Sequence, residues 1–306
     1  MDGLALLFAA TLNAGTVLGF AGLGLLLNER AGIVNLGAEG IMLVAAIAGF
    51  AATVHSGNDW VGLSAGVAAG GFLAGIFGVL VIWLNTNQFA TGLALSLFGA
   101  GVSAFLGIQY VQEKLPERMQ WTVPWLSDLP WLGAAVFRQH PLVYGAIALA
   151  FALTWWFDHS RSGLILRAVG DAPASAHALG FPVRWIRFAA VIAGGALCGL
   201  AGAYLSIVYT PLWVEGMVAG KGWIALALTT FASWRPGRIL LGAYVFGGVT
   251  MLQFYLQGEG IEVPIQFLSM MPYLATILVL VIISRNAAWV RSHMPASLGE
   301  PFTPGA

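Results

Sequence analysis

The chain has 306 residues, with 13 Lys+Arg against 13 Asp+Glu and no formal net charge. Charged residues make up 8% of it and apolar residues 59%, against about 25% and 45–50% in a soluble domain, so the composition is that of a membrane-embedded protein and excludes intrinsic disorder. It leaves no basic surplus for nucleic acid, and its one cysteine, Cys198, rules out an intrachain disulfide or a zinc site built on several cysteines.

The opening Met1-Asp2-Gly3-Leu4 lacks a basic stretch, so the first apolar run reads as a retained span and not as a cleaved signal. Asp2, with no early Lys or Arg, favours an N-terminus outside. Spans of about 20 apolar residues are predicted at 4–27, 33–54, 60–84, 88–108, 141–157, 186–209, 222–233, 237–256 and 265–284. The span at 222–233 is short and that at 33–54 carries Asn35 and Glu39, so both are candidates for broken or re-entrant helices. The expected fold is all-α: a polytopic membrane helical bundle of about nine spans, N-terminus outside and C-terminus inside. Residues 1–290 form one transmembrane domain, and 291–306, rich in Pro and Gly, a disordered cytoplasmic tail.

Loop charges support that alternation. Arg30, Arg161, Arg167, Arg184, Arg187, Arg235, Arg238, Arg285 and Arg291 fall inside, against Lys114, Arg118, Arg138 and Lys221 outside. The outer loop 109–140 carries Trp121, Trp125 and Trp131 among prolines, which suits a membrane interface. The Gly-rich face at Gly194-Gly195, Gly199 and Gly202 offers close packing to a neighbouring chain.

Three segments concentrate polar residues. Asn28 to Gly40 combines two acids, an Arg, two Asn and three Gly between apolar runs. One reading is a broken helix whose Asn35 and Glu39 face a polar path. The plainer reading pairs Glu29 with Arg30 at the interface and has Glu39 capping a helix start. Arg161 to Phe181 reads as a short Ala-built helix of about two turns, capped by Asp171, with Pro173 in its first turn and Gly180 closing it. It is either a docking helix for a cytosolic partner or an ordinary interfacial helix. Glu215 to Ala227 surrounds Lys221 with glycines before a short span, as at the entry to a half-helix, with Lys221 snorkelling or pairing with Glu215.

No phosphate-cradling Gly-x4-Gly-Lys-Ser/Thr loop is present, so the chain should not hydrolyse ATP. The five histidines lack metal-ligand spacing. A lone ion-coupled carrier would call for inverted repeats and buried acids, and Glu39 is the one acid placed well inside a span.

The same three segments carry a family resemblance. Asn28 to Gly40 looks like the opening signature of nucleoside-type ABC transporter permeases, within a broader family of ribose-type sugar and branched-chain amino-acid permeases. Leu166 to Pro173, running on to Leu179-Gly180-Phe181, resembles their cytoplasmic coupling segment, although Ala174 stands where that segment commonly has Arg. Ala219 to Ala227 is similar to their late Gly-rich segment.

The resemblance implies a subunit of an importer for nucleosides or related purine compounds in the bacterial inner membrane, with a simple sugar or another small solute as the alternative. It implies a cytosolic ATPase holding ATP and Mg, with no cofactor in this chain, a second permease chain, identical or related, and an external binding protein or lipoprotein. It assigns coupling to Arg167, Asp171, Ala172, Pro173, Ala174, Ala176, Leu179, Gly180 and Phe181. Candidate wall residues of the pathway are Asn13, Asn35, Glu39, Asn85, Asn87 and Gln88, and each asparagine or glutamine also reads as a helix–helix hydrogen bond.

Overall fold

A computed structural model of the chain describes residues 2–115, 121–122, 132–258 and 294–303, with the separate positions Phe267, Met270, Leu274, Ile277 and Val281. The helices in chain order are α1 (Asp2–Arg30), α2 (Ala38–Ser56), α3 (Asp59–Ile82), α4 (Gln88–Gly107), α5 (Leu132–Val136), α6 (Pro141–His159), α7 (Arg161–Asp171), α8 (Pro173–Ala178), α9 (Val183–Tyr204), α10 (Lys221–Phe231) and α11 (Pro236–Gly258). Two short strands, β1 (Trp121–Thr122) and β2 (Arg138–Gln139), pair antiparallel. Seven helices among the described residues are long and apolar enough to cross a membrane. They agree with the predicted spans to within a few residues, except at α2, which starts at Ala38 because residues 31–37 are irregular. The short span predicted at 222–233 is α10, only 11 residues long. The span predicted at 265–284 lies outside the described residues, apart from five helical positions that share one exposed face. Of the Trp-rich loop 109–140, residues 116–120 and 123–131, with Trp125 and Trp131, likewise lie outside them.

α1, α2, α3 and α9 form the centre and the faces of α4, α6 and α11 the periphery. The peripheral helices present large apolar side chains outward, such as Leu97, Phe105, Phe151 and Leu241. This is the arrangement lipid requires, and it means that apolar burial cannot by itself hold the helices together. Backbone contact does so instead. Gly66 and Gly70 of α3 face Gly195 and Gly199 of α9, and a Cβ on Gly70 or Gly199 would come well inside 3.0 Å of the opposite backbone. Gly40 of α2 meets Gly99 of α4 in the same way. The glycines Gly194, Gly195, Gly199 and Gly202, read as a face for another chain, are thus consumed inside this one, against Asn28, Ala74, Gly66 and Met42. The sequence shows the small-residue stripe but not its partner.

The segment between α6 and α9 also differs from expectation. It holds two helices, and Asp171 ends the first instead of capping the second. The cap of α7 is Ser160, whose Oγ accepts from the Gly163 amide at 3.0 Å. Pro173 does open α8, and Gly180, at φ +88°, closes it. The amides of Gly180 and Phe181 bond back to the carbonyls of His177 and Ala176, the paired bonds of a Schellman ending. Residues 294–303 also depart from the tail expected to be disordered. They form a turn with Ser297 buried, tied to Gly170 and Arg187.

The glycine seam makes a direct test. Gly70→Leu should abolish folded, detergent-stable protein, because the Cβ itself overlaps backbone. Gly101→Ala, where the added carbon meets nothing within 4 Å, should be neutral or stabilising by up to about 1 kcal/mol. Thermal melts of both purified variants check this, and a well-folded Gly70→Leu protein would refute the seam.

Candidate functional site

The break between α1 and α2 is built to hold another helix. α1 carries Glu29 and Arg30 in its last turn, and Gly32, at φ +87°, then turns the chain. α4 satisfies the irregular backbone that follows. Gln88 Oε1 accepts from the Val34 amide at 2.8 Å, and the Ser96 hydroxyl donates to the Leu36 carbonyl at 2.8 Å. Asn35 Oδ1 accepts from the Gly37 amide at 2.9 Å. The Asn35 Nδ2 and Gln88 Nε2 atoms are buried with no hydrogen-bond partner.

Glu39 lies in the first turn of α2 but reaches to α10. One carboxylate oxygen accepts from the Gly220 amide at 2.8 Å and the other from the Gly222 amide at 2.7 Å. These are two of the four N–H groups that a helix start leaves unsatisfied, and a negative charge there is also favoured by the positive end of the helix dipole. The glycines explain the geometry. Gly220 sits at φ +80°, a region costly for any side chain. A Cβ on Gly222 would lie 2.6 Å from the Glu39 amide nitrogen, so only glycine lets the starts of α2 and α10 abut. Between them, the Lys221 ammonium donates to the Val218 carbonyl at 3.2 Å. Glu215, its expected partner, is exposed on the preceding turn.

Glu29 holds the other end of α10. Its oxygens accept from the Thr229 hydroxyl at 2.7 Å and from the Trp234 indole N–H at 2.5 Å. Trp234 is fully buried in a turn where both it and Ser233 have positive φ. The Arg30 guanidinium donates to the Trp234 carbonyl at 2.7 Å and lies over the Phe157 ring at 5.9 Å. The two residues read as an interfacial ion pair thus bind the α10–α11 turn instead.

The structure gathers Asn35, Glu39 and Gln88 around the break. Asn87 caps α4, accepting from the Phe89 and Ala90 amides, and Asn85 occupies the exposed turn before it at φ +51°. Asn13 stands apart, donating to Gln139 Oε1 at 2.6 Å and accepting from the Tyr204 hydroxyl at 2.8 Å. Thr229, Trp234, Gln139 and Tyr204 were missed in the sequence, where each reads as an ordinary span or loop residue.

The second part of the site is α8 with its flanks. Asp171, Ala172, Ala174, Leu179 and Gly180 are exposed, Leu179 at 78%, while Ala176 packs on Val169 and Val183. Pro173 and Phe181 are half-buried. Arg167 pairs with Asp158 at 3.2 Å. The result is a low, small-residue surface with one large apolar side chain standing on it, open to a partner. Beneath it, Gly170 lies so close to the carbonyl of Arg30 that a Cβ there would clash.

The family described as "Branched-chain amino acid transport system / permease component" matches residues 7–283. The chain is 42% identical to the Haloferax volcanii protein TsgC13, whose name proposes a glucose ABC transporter permease, over 97% of each chain. It is 33% identical to the nucleoside ABC transporter permease NupC of Lactococcus lactis, over 92% of each. It is 30% identical to the guanosine ABC transporter permease NupQ of Bacillus subtilis, over 99% of this chain and 98% of that one. The chain belongs to this permease family and is a multi-pass membrane subunit of an ABC transporter. Membership sets aside the lone ion-coupled carrier and implies association with an ATPase and a substrate-binding protein.

Glu39→Ala should strip two amides of their acceptor. At about 1–3 kcal/mol for each buried donor left unpaired, the cost is about 2–6 kcal/mol. A lowered melting temperature in detergent, with faster hydrogen exchange at 220–224, is the expected reading; unchanged exchange there would mean that Glu39 does not hold α10.

Proposed function

We propose that this chain forms half of the translocation path of an ATP-driven importer for nucleosides or related purine compounds in the bacterial inner membrane. A second permease, identical or related, supplies the other half. A cytosolic ATPase binds ATP and Mg and docks on α8, and an external binding protein delivers the solute. The observation that carries the coupling role is the placement of α8. Its small residues and Leu179 are exposed, as a docking face requires, while the helix before it abuts the end of α1 at Gly170 and Arg30.

A push on α8 therefore passes through backbone contact to α1, whose Glu29 holds one end of α10. α10 is the element suited to move. It is short, its start depends on one carboxylate, and buried amide groups of Asn35 and Gln88 lie unpaired beside the break. Small shifts of packed helices are a common means of carrying such switching. Weak polar contacts along the path favour this mode of transport, since a tight site would slow release.

The names of NupC and NupQ support a nucleoside solute. A simple sugar is the second reading, favoured by the 42% identity with TsgC13. Nucleosides and sugars share a hydroxyl-bearing ring, and the polar groups around the break suit either.

Uptake of radiolabelled adenosine, guanosine, uridine, ribose and glucose should be measured in vesicles holding this chain and its co-purified partners, with and without ATP. ATP-dependent nucleoside uptake is expected. Glucose uptake alone would give the second reading, and uptake driven by an ion gradient without ATP would overturn both. Gly180→Val, which forces a β-branched residue into φ +88° at about 1–2 kcal/mol or more, should leave ATP hydrolysis in place and lower uptake.

A further inference from the structure

Residues 294–303 touch α7, α8, α9 and the α1–α2 turn and belong to none of the segments that carry the family likeness. Their turn is closed by bonds from the Leu298 amide to the Pro295 carbonyl and from the Glu300 amide to the Ser297 carbonyl. It fills a notch between the α1–α2 turn, the end of α7 and the start of α9. Ser297 is 4% exposed. Its hydroxyl and its amide both donate to the Gly170 carbonyl, at 2.6 and 3.1 Å. That carbonyl lies in the last turn of α7, where no helical N–H follows to meet it.

The same hydroxyl accepts from Arg187 Nη2 at 2.8 Å, and Arg187 Nη1 donates to the Glu300 carbonyl at 3.1 Å. The Gly299 amide donates to the Gly32 carbonyl at 3.0 Å. The notch is tight on the Gly32 side, since a Cβ on Gly32 would lie 2.8 Å from both Arg187 Nη2 and Ser297 Oγ. Farther along, Phe302 packs on the Val169, Ala176 and Val183 cluster and meets the His177 ring at 5.6 Å. One ten-residue segment therefore binds α7, α8, α9 and the α1–α2 turn.

Without it, the link from α8 to α1 would have a weak point. Ala172, between α7 and α8, lies outside helical geometry at φ −143° and ψ 75°. A push on α8 could be taken up by bending there. Ser297 fixes the α7 side of that joint and Phe302 the α8 side.

We propose that residues 294–303 are a strap that makes α7, α8 and the α1–α2 turn move as one body, with Ser297 and Arg187 as its positioning residues. The inference rests on the coupling reading of 167–181. The strap itself is tested by hydrogen exchange on the assembled transporter. Deletion of 294–306 should speed exchange at 168–178 and leave α3 and the middle of α9 unchanged; unchanged exchange at 168–178 overturns the proposal.

Coupling is tested in the same vesicles, supplied with adenosine and with glucose, by uptake per ATP hydrolysed. Ser297→Ala and the deletion should lower that ratio about five- to ten-fold, in the range of ordinary coupling energies, with hydrolysis and assembled complex retained. Ser297→Thr, which keeps the hydroxyl, should restore it. A parallel loss of assembly, hydrolysis and uptake would mean a structural role only, and overturns the proposal. Gly180→Val separates the two readings: if it uncouples and the strap variants do not, only the strap fails, and if it transports normally, the coupling reading fails first.

Discussion

An 11-residue helix rises about 16 Å, roughly half of a bilayer's hydrocarbon core of about 30 Å. α10 must therefore end inside the apolar layer, where water cannot meet its free backbone groups and protein has to. Its start has no side-chain cap of its own. The acceptor comes from Glu39, 181 residues away from Gly220 along the chain. The starts of α2 and α10 nearly touch at that carboxylate, so one negative charge serves the positive ends of two helix dipoles. This contact explains why the chain tolerates an acid in a span, why glycines flank Lys221, and why the backbone between α1 and α2 is unwound. The unwinding at 31–37 turns α2 so that its first turn faces α10, and Gln88 and Ser96 satisfy the carbonyls and amides exposed in the process.

The second carboxylate completes the arrangement. Glu29 takes the Thr229 hydroxyl and the Trp234 indole, so one segment of the chain holds α10 at both ends. The surrounding bundle is rigid by comparison. α3 and α9 meet backbone to backbone along a glycine seam, and in lipid such close van der Waals packing replaces the hydrophobic drive available in water. A stiff frame around a short helix held by a few hydrogen bonds would concentrate motion in that helix, as the proposed function requires. Buried polar contacts of this kind can be exchanged for one another at small net cost, whereas a packed backbone seam cannot slide without steric overlap.

The spans were legible in the sequence because apolar runs of the right length are a strong signal, and the boundaries of α3, α4, α6 and α11 lie close to those predicted. The importance of Asn28 to Gly40 and of Gly220 to Gly222 was legible too, since charges and glycines there interrupt apolar runs. Their partners were not. Glu29 lies next to Arg30 in sequence, and a local ion pair is the natural expectation, yet both side chains reach the α10–α11 turn. Asp171 has the composition of an N-cap, but Ser160 caps the start of an 11-residue helix that leaves Asp171 at its end. The docking of Ser297 was hidden because a Pro/Gly-rich segment reads as disorder until a shaped notch is seen to receive it. In each case composition marks the residue, and only the three-dimensional neighbour decides its role.

The path from α8 to α10 is continuous in these contacts. α8 is joined to α7, α7 abuts α1 at Gly170 and Arg30, and Glu29 of α1 grips Thr229 and Trp234. Most links are backbone or short-range contacts, the kind that would carry a displacement on the coupling reading proposed above. The exception is the α7–α8 joint, and the C-terminal turn spans that joint. A pushing device needs stiffness where force is carried and compliance where work is done. On the coupling reading proposed above, the stiffness would lie in the glycine contacts and the strap, and the compliance in the short helix held between two carboxylates.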